Sequence, residues 1–221
     1  MNKKEATKIT GGLSAPGKMP EGSYNLPARA CQTGAKLRKI PGTPCYGCYA
    51  FKGRYNFPNV KDALSRRLDS LTHPQWVEAM AVLIKGKKFF RWHDSGDLQS
   101  VDHLKKIFQI CDLTPNTMHW LPTQERQFLP LPGSKIPKNL IIRLSNAKND
   151  TRPGNAWSHW STVVSHGARA GPMCPARAPW LTTVDQWVQA LPGLVSFFAL
   201  LNLIIKFFGI LEPGSGKNWR S

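Results

Sequence analysis

The central part of this chain alternates helix-like and strand-like segments, and this restricts the folds open to it. Apolar residues recur at helical spacing on both sides of Thr72-His73-Pro74, and again after Ser100, a typical helix N-cap residue. Three strand-like runs accompany them: KKFFRW, TMHWLPT and NLIIRLSNA. Such alternation predicts an α/β fold, built on a parallel sheet or a partial βα barrel.

The character of the sequence changes at both ends of this βα core, which we assign to residues 59–178. Residues 1–58 are rich in Gly, Pro and basic side chains, and we expect a loop-rich segment that belongs to the main domain. Residues 179–221 form an atypical apolar tail. Within it, residues 191–211 are long enough to cross a bilayer, which takes about 20 residues. Lys206 opposes insertion, and a buried amphipathic helix is the alternative.

The charge balance points to an anionic partner. Lys and Arg number 30 against 13 Asp and Glu, which gives a formal net charge of +17. An excess of this size favours binding to nucleic acid or another polyanion, although a basic protein without a dedicated partner remains open. A membrane is a partner only if residues 191–211 insert, and the oligomeric state is not indicated.

The cysteines predict metal chemistry in a reducing compartment. There are five, an odd number, and the N-terminal segment has no apolar signal region, so we expect a cytoplasmic protein without a disulfide scaffold. Cys45 and Cys48 form a C-x-x-C pair in an irregular loop, which disfavours a thioredoxin-type dithiol. Cys111 lies on the apolar face of a predicted helix and is assigned to the core.

Two kinds of metal site fit the remaining cysteines. A zinc ion needs four ligands, and Cys31 and Cys174 are the candidates that would join Cys45 and Cys48. An iron–sulfur cluster held by Cys31, Cys45 and Cys48 alone would leave one iron open to an exogenous ligand. Unligated thiols are the third alternative.

Polar residues follow each of the predicted strands. The first strand runs into HDSGD, the second into TQE and the third into SN. The carboxyl ends of parallel strands meet at one edge of a sheet, so these residues predict a site there. His93, Asp94 and Asp97 could also bind a divalent ion in a metal-dependent hydrolase, or they could be ordinary caps and turns.

Several motifs resemble the bacteriophage and prophage family called gene product 88. They are GLSAPGKMPEGSYNLPARAC, CYGCYAFKGRYNF, FRWHDSGDLQS and HWLPTQE, and the likeness runs from Gly12 to Pro175. The resemblance implies a phage-type protein in the host cytoplasm, and it implies no particular reaction. Members usually carry further cysteines after a C-P pair, whereas this chain has Cys174-Pro175 and then the apolar tail.

The missing cysteines suggest a frameshift. Codons for Trp187 to Leu191 exist that, read one nucleotide later, encode Gly-Cys-Arg-His-Cys, which is similar to the lost motif. We hypothesise that the reading frame changes between Cys174 and Trp187, so that the tail of residues 179–221 is out-of-frame sequence. The nucleotide sequence tests this directly.

A looser resemblance is to radical S-adenosylmethionine enzymes. The cysteine group ending in C-Y-A, the βα unit and the Gly-acid turn after a strand carry it, although the spacing here is C-x13-C-x2-C, not the usual C-x3-C-x2-C. The resemblance implies a [4Fe-4S] cluster on the three N-terminal cysteines. It also implies that Gly96 and Asp97 hold the amino group of S-adenosylmethionine, and that Ser145 or Asn146 holds its ribose.

Two functions follow as expectations. The first is an iron–sulfur enzyme similar to the radical S-adenosylmethionine class, acting on a nucleic acid or nucleotide. The alternative is a non-catalytic, zinc-stabilised nucleic-acid-binding protein that uses mixed basic and aromatic side chains. The residues considered for that role are Arg54, Tyr55, Arg91, Trp92, Trp157 and Trp160.

Overall fold

A parallel sheet forms the centre of the part of the chain that the structure describes. The structure is a computed structural model that describes residues 1–16, 21–151, 157 and 159–163. Within these residues five strands pair in parallel in the order β1-β2-β3-β4-β5. The strands are β1 (Ser23–Tyr24), β2 (Phe89–Trp92), β3 (Met118–Thr123), β4 (Leu140–Ser145) and β5 (Trp160–Ser161). The predicted α/β class is therefore confirmed, with a parallel sheet.

The described helices include those that the apolar spacing predicted. They are α1 (Lys3–Thr10), α2 (Thr33–Leu37), α3 (Pro58–Ser70), α4 (Trp76–Ile84) and α5 (Val101–Leu113). The chain breaks between α3 and α4 at the expected place. The side chain of Ser100 accepts a hydrogen bond from the amide of His103 at 3.0 Å, so its predicted role as the cap of α5 is confirmed.

The N-terminal segment, expected to be loop-rich, contains helix α1, which the sequence analysis did not predict. Asn2 and Glu5 form a capping box, in which each side chain accepts from the other residue's amide at 2.9 Å. Gly11, at φ 73°, ends the helix in the left-handed conformation. Helix α1 packs against α3 and α4, so this part of the N-terminal segment contributes to the helical layer.

Helices cover one face of the sheet. Alternate strand side chains, including Phe90, Trp92 and Leu121, are buried in a cluster with Met80 of α4 and Ile107 of α5. The intervening residues face the other way and are half-buried or exposed. The helices thus pack on one side, and the loops at the carboxyl ends of the strands remain available for a site.

The hydroxyl of Tyr24 on β1 connects the first strand to three helices. It lies 2.7 Å from the carbonyl oxygen of Thr10, 3.0 Å from that of Arg67 and 2.8 Å from the hydroxyl of Ser70. It also accepts a hydrogen bond from the indole of Trp76 at 3.2 Å. This buried network fixes β1, and with it the start of the segment that leads to the cysteines.

The C-terminal predictions lie outside the described residues. These are the tail of residues 179–221, its apolar segment 191–211 and the candidate ligand Cys174. Among the helices that the structure does describe, none combines the length and hydropathy needed to cross a bilayer.

Candidate functional site

Three cysteines from two segments of the chain line one pocket. Cys31, Cys45 and Cys48 border a cavity of about 160 Å³, together with Gly34 and the ring of Phe51. A Cβ atom placed on Gly34 would lie 3.7 Å from the sulfur of Cys31 and 3.7 Å from that of Cys45. Two thiols therefore flank the space that a side chain at position 34 would occupy. The three cysteines predicted to hold an iron–sulfur cluster all line this pocket.

Glu125 fixes the backbone that follows Cys31. This carboxylate is fully buried. One of its oxygens accepts from the amides of Gln32 at 2.9 Å and Thr33 at 2.8 Å, and the other accepts from the Thr33 hydroxyl at 2.6 Å. Charge-assisted hydrogen bonds of this kind are among the stronger ones in proteins. The end of β3 therefore determines where the first cysteine lies.

Asp94 anchors the loop that carries the C-x-x-C pair. Its carboxylate accepts from the Tyr55 hydroxyl at 2.8 Å and pairs with Arg91 at 2.9 Å, and its carbonyl oxygen accepts from the Tyr49 hydroxyl. Desolvation of its hydroxyl group and the nearby Asp94 raise the pKa of Tyr49 to about 12, although the residue as a whole is exposed, so the hydroxyl stays protonated and able to donate. Asp94, which the sequence offered as a possible metal ligand, therefore attaches the cysteine loop to the end of β2.

Asp97 faces the interior, where it joins the ends of β2 and β3. One carboxylate oxygen accepts from the Leu98 amide at 2.8 Å and the Thr123 hydroxyl at 2.5 Å, and the other accepts from the Gln124 amide at 2.8 Å. Burial raises the pKa of this carboxyl to about 7, and the three hydrogen bonds oppose that rise. Both carboxylate oxygens of Asp97 thus already accept hydrogen bonds within the fold. Its predicted contact with a cofactor stays a prediction.

The other predicted cofactor residues also lie at the carboxyl edge of the sheet. Gly96 adopts φ +77° with its backbone packed against Leu26. Ser145 is the half-buried last residue of β4. The next residue, Asn146, is buried and donates from its side chain to the Thr151 carbonyl oxygen at 2.7 Å. These residues lie at the edge of the sheet where the sequence predicted a site, and the contacts observed for Gly96 and Asn146 are internal ones.

The residues proposed for a hydrolase do not share an ion site. Asp94 and Asp97 hold different parts of the fold, and His93 is buried with its ring beside that of His103, at 5.2 Å between centroids. Within the described part of the chain, no group of three His, Cys, Asp or Glu side chains is arranged to hold one metal ion. The arrangement therefore gives no support to a single-ion hydrolase.

The pocket disfavours free thiolates. Burial raises the pKa of the Cys31 thiol strongly, and the neighbouring Asp97 and Glu125 raise it further. Burial likewise raises the pKa of Cys45 to about 11, and Cys48, Asp97 and Glu125 add to that effect. In the absence of a cation these two thiols stay protonated at neutral pH. A thiolate at either position would be poorly hydrated and would lie near the carboxyl groups of Asp97 and Glu125.

We therefore expect metal-free Cys45 to react with iodoacetamide at a rate that keeps rising with pH to about 11. A free thiol levels off near its usual pKa of about 8.5, because the thiolate is the nucleophile. Peptide mapping by mass spectrometry measures the rate at this cysteine alone, and the same chain unfolded in urea is the control. A plateau below pH 9 in the folded protein would contradict the burial argument.

Two features of this site went unidentified in the sequence. Glu125 was visible as a polar residue after a strand, but nothing in its surroundings indicated a bond to the residues after Cys31. Arg29 and Arg38 also border the cysteine pocket, and the guanidinium of Arg38 lies 4.2 Å from the centroid of the Phe51 ring. Their position near the cysteines depends on the folding of the loop.

Comparisons with known proteins identify the family. A family model described as Gene product 88 matches residues 1–185, and the match ends within the segment 179–221 that was expected to diverge. No curated protein and no solved structure matches the chain. The resemblance to radical S-adenosylmethionine enzymes therefore gains no support from these comparisons. Because the family match covers most of the sequence, the chain belongs to the gene product 88 family.

Proposed function

We propose that this protein is an iron–sulfur enzyme whose [4Fe-4S] cluster is held by Cys31, Cys45 and Cys48. The observation that carries the proposal is the shared pocket at the carboxyl edge of a parallel sheet, lined by three cysteines from two separate segments. Sites in α/β proteins lie at this edge, where loops from several strands meet. A group of cysteines in a reducing compartment is more often a ligand set than a disulfide framework.

The chemistry of the ligands suits a cluster held by three cysteines. A tetrahedral structural zinc ion takes four protein ligands, whereas a [4Fe-4S] cluster can keep one iron without a protein ligand. In a [4Fe-4S] cluster each cysteine bonds a different iron, so the sulfurs stand apart around a common space. Gly34 supports this assignment, because its missing side chain leaves room beside two of the sulfurs.

The two carboxylates near the thiols also favour a cationic centre bound by the cysteines. Asp97 and Glu125 lie near enough to raise the pKa of the thiols, and a positive centre would reverse that effect by favouring the thiolates. Binding would then release protons from the cysteines. The chain's own contribution is orientation: Glu125 holds the turn after Cys31, and Asp94 holds the loop of the other two ligands.

A cluster with three protein ligands supplies one iron with an open coordination position. We propose S-adenosylmethionine as the exogenous ligand there. The side chains of Asp97 and Asn146, which were expected to contact it, make hydrogen bonds within the fold, so we derive no contact to the cofactor from them. The pocket itself, bordered by Arg29 and Arg38, supports an anionic substrate such as a nucleic acid or nucleotide.

Anaerobic purification followed by metal analysis tests the proposal. We expect iron and sulfide in the wild-type protein with broad visible absorbance, and loss of all three signals in Cys45→Ser. Cys111→Ser is the matched control, because Cys111 lies in the hydrophobic core and its loss should leave the iron content unchanged. A change in the electron paramagnetic resonance spectrum of the reduced protein on addition of S-adenosylmethionine would support the cofactor assignment.

The same measurements distinguish the alternative. One zinc per chain without iron would replace the cluster by a structural zinc site, for which Cys174 is the candidate fourth ligand, and would favour a non-catalytic binding protein. A protein that retains full iron after Cys45→Ser would exclude the proposed ligand set.

A further inference from the structure

We infer that the loops around the cysteine pocket form a binding surface for single-stranded nucleic acid. This inference deepens the proposed function, since it names the substrate class and where the substrate lies. The surface, here called the basic loop surface, consists of exposed cationic and aromatic side chains between residues 22 and 61. It adjoins the pocket, because Arg29 and Arg38 belong to both.

The charge of this segment has one sign. Residues 22–61 contain no Asp or Glu. They contain seven basic residues, all exposed: Arg29, Lys36, Arg38, Lys39, Lys52, Arg54 and Lys61. The ion pairs recorded among the described residues lie elsewhere, at Arg91–Asp94 and Lys105–Asp102. The positive charge is therefore available to an external anion, and a phosphate backbone supplies negative charges at regular intervals.

Exposed aromatic rings accompany these charges. Tyr46, Tyr49 and Phe57 are 56%, 55% and 55% exposed. Large aromatic rings are usually buried. These three rings expose apolar surface to water, and packing in the hydrophobic core does not account for their positions. The Tyr49 hydroxyl is held by the backbone of Asp94, so its ring is presented by a fixed loop.

The combination of cations and rings favours unpaired bases. A duplex hides the faces of its bases within its own stack, whereas a single strand exposes them. Bases of a single strand stack on aromatic side chains while the backbone follows a basic groove, and the affinity falls steeply with salt. Both features occur together on the basic loop surface.

Fluorescence anisotropy with labelled oligo-dT and oligo-rU at several KCl concentrations tests the inference. We expect Tyr46→Ala to weaken binding by about 5- to 100-fold through lost stacking. The double variant Lys52→Glu with Arg54→Glu should weaken binding at least about tenfold, and should lower the slope of log affinity against log salt by about 2. Lys3→Glu with Lys4→Glu is the matched control, since both lie exposed on α1, and it should have little effect.

Three outcomes would overturn the inference. They are equal competition by duplex DNA, equal binding by Tyr46→Ala, and equal loss of binding in the control on α1. Each would leave only a general effect of net charge. A difference in affinity between oligo-dT and oligo-rU would show whether the surface prefers DNA or RNA.

The experiment also separates this inference from the metal proposal. Metal-free Cys45→Ser, checked for folding by circular dichroism, should still bind the strand. Binding without iron in the wild-type protein would reject the cluster and retain the surface. Iron without binding would reject the surface and retain the cluster.

Discussion

Replacing Gly96 by alanine is expected to lower the free energy of unfolding by about 2–5 kcal/mol. The new Cβ would lie 2.6 Å from the Cβ of Leu26 and 2.7 Å from its carbonyl oxygen. Leu26 is fully buried and its amide donates to Ser95 at 2.9 Å, so it has little room to move. Overpacking costs about 1–3 kcal/mol, and the positive φ of +77° adds about 1–2 kcal/mol for a residue with a side chain.

Urea unfolding of the metal-free protein measures this effect without the cofactor. Gly86→Ala is the matched control, because Gly86 has φ +88° and no atom within 4 Å of the place that its new Cβ would take. It should lose only the backbone cost of about 1–2 kcal/mol. Equal losses at the two positions would show that contact with Leu26 is not the cause. A large loss at Gly96 alone would identify a packing role that needs no ligand.

The extent to which the sequence predicted the fold depended on the length of each element. Helices α3, α4 and α5 are long enough for apolar spacing to be visible, and β2, β3 and β4 are bounded by turns. β1 and β5 have two residues each, too few for any alternating pattern. Helix α1 had a local signal in its capping box, Asn2 with Glu5, but the composition of residues 1–58 concealed it.

The grouping of the three cysteines was predictable from the sequence, whereas the orientation of the polar side chains near them was not. Cys31, Cys45 and Cys48 could be grouped because thiols at such spacing are restricted to few roles, and they do line one pocket. The polar residues after the strands do lie together at the carboxyl edge of the sheet, as their positions in the sequence indicated. Sequence does not reveal which way a side chain points at a strand end, and Asp97 turns inward to Thr123.

The second large effect is expected at Glu125, where alanine should destabilise the fold by about 3–5 kcal/mol. It would leave the part-buried amides of Gln32 and Thr33 and the Thr33 hydroxyl without their acceptor, and each such loss costs about 1–3 kcal/mol, with the upper values reserved for fully buried groups. Because these bonds fix the turn after Cys31, the proposed cluster should also load less iron. Urea unfolding and iron analysis on the same preparations measure the two effects.

Glu125→Gln separates position from charge. Its amide oxygen can still accept from both backbone amides, and its NH₂ can donate to the Thr33 hydroxyl, which is able to reverse its role. We therefore expect a loss of about 1 kcal/mol and nearly normal iron content, because geometry rather than negative charge holds Cys31 in place. If glutamine reduced the iron content as far as alanine, the carboxylate charge would be the essential property. If alanine left both stability and iron unchanged, Glu125 would not position the first cysteine.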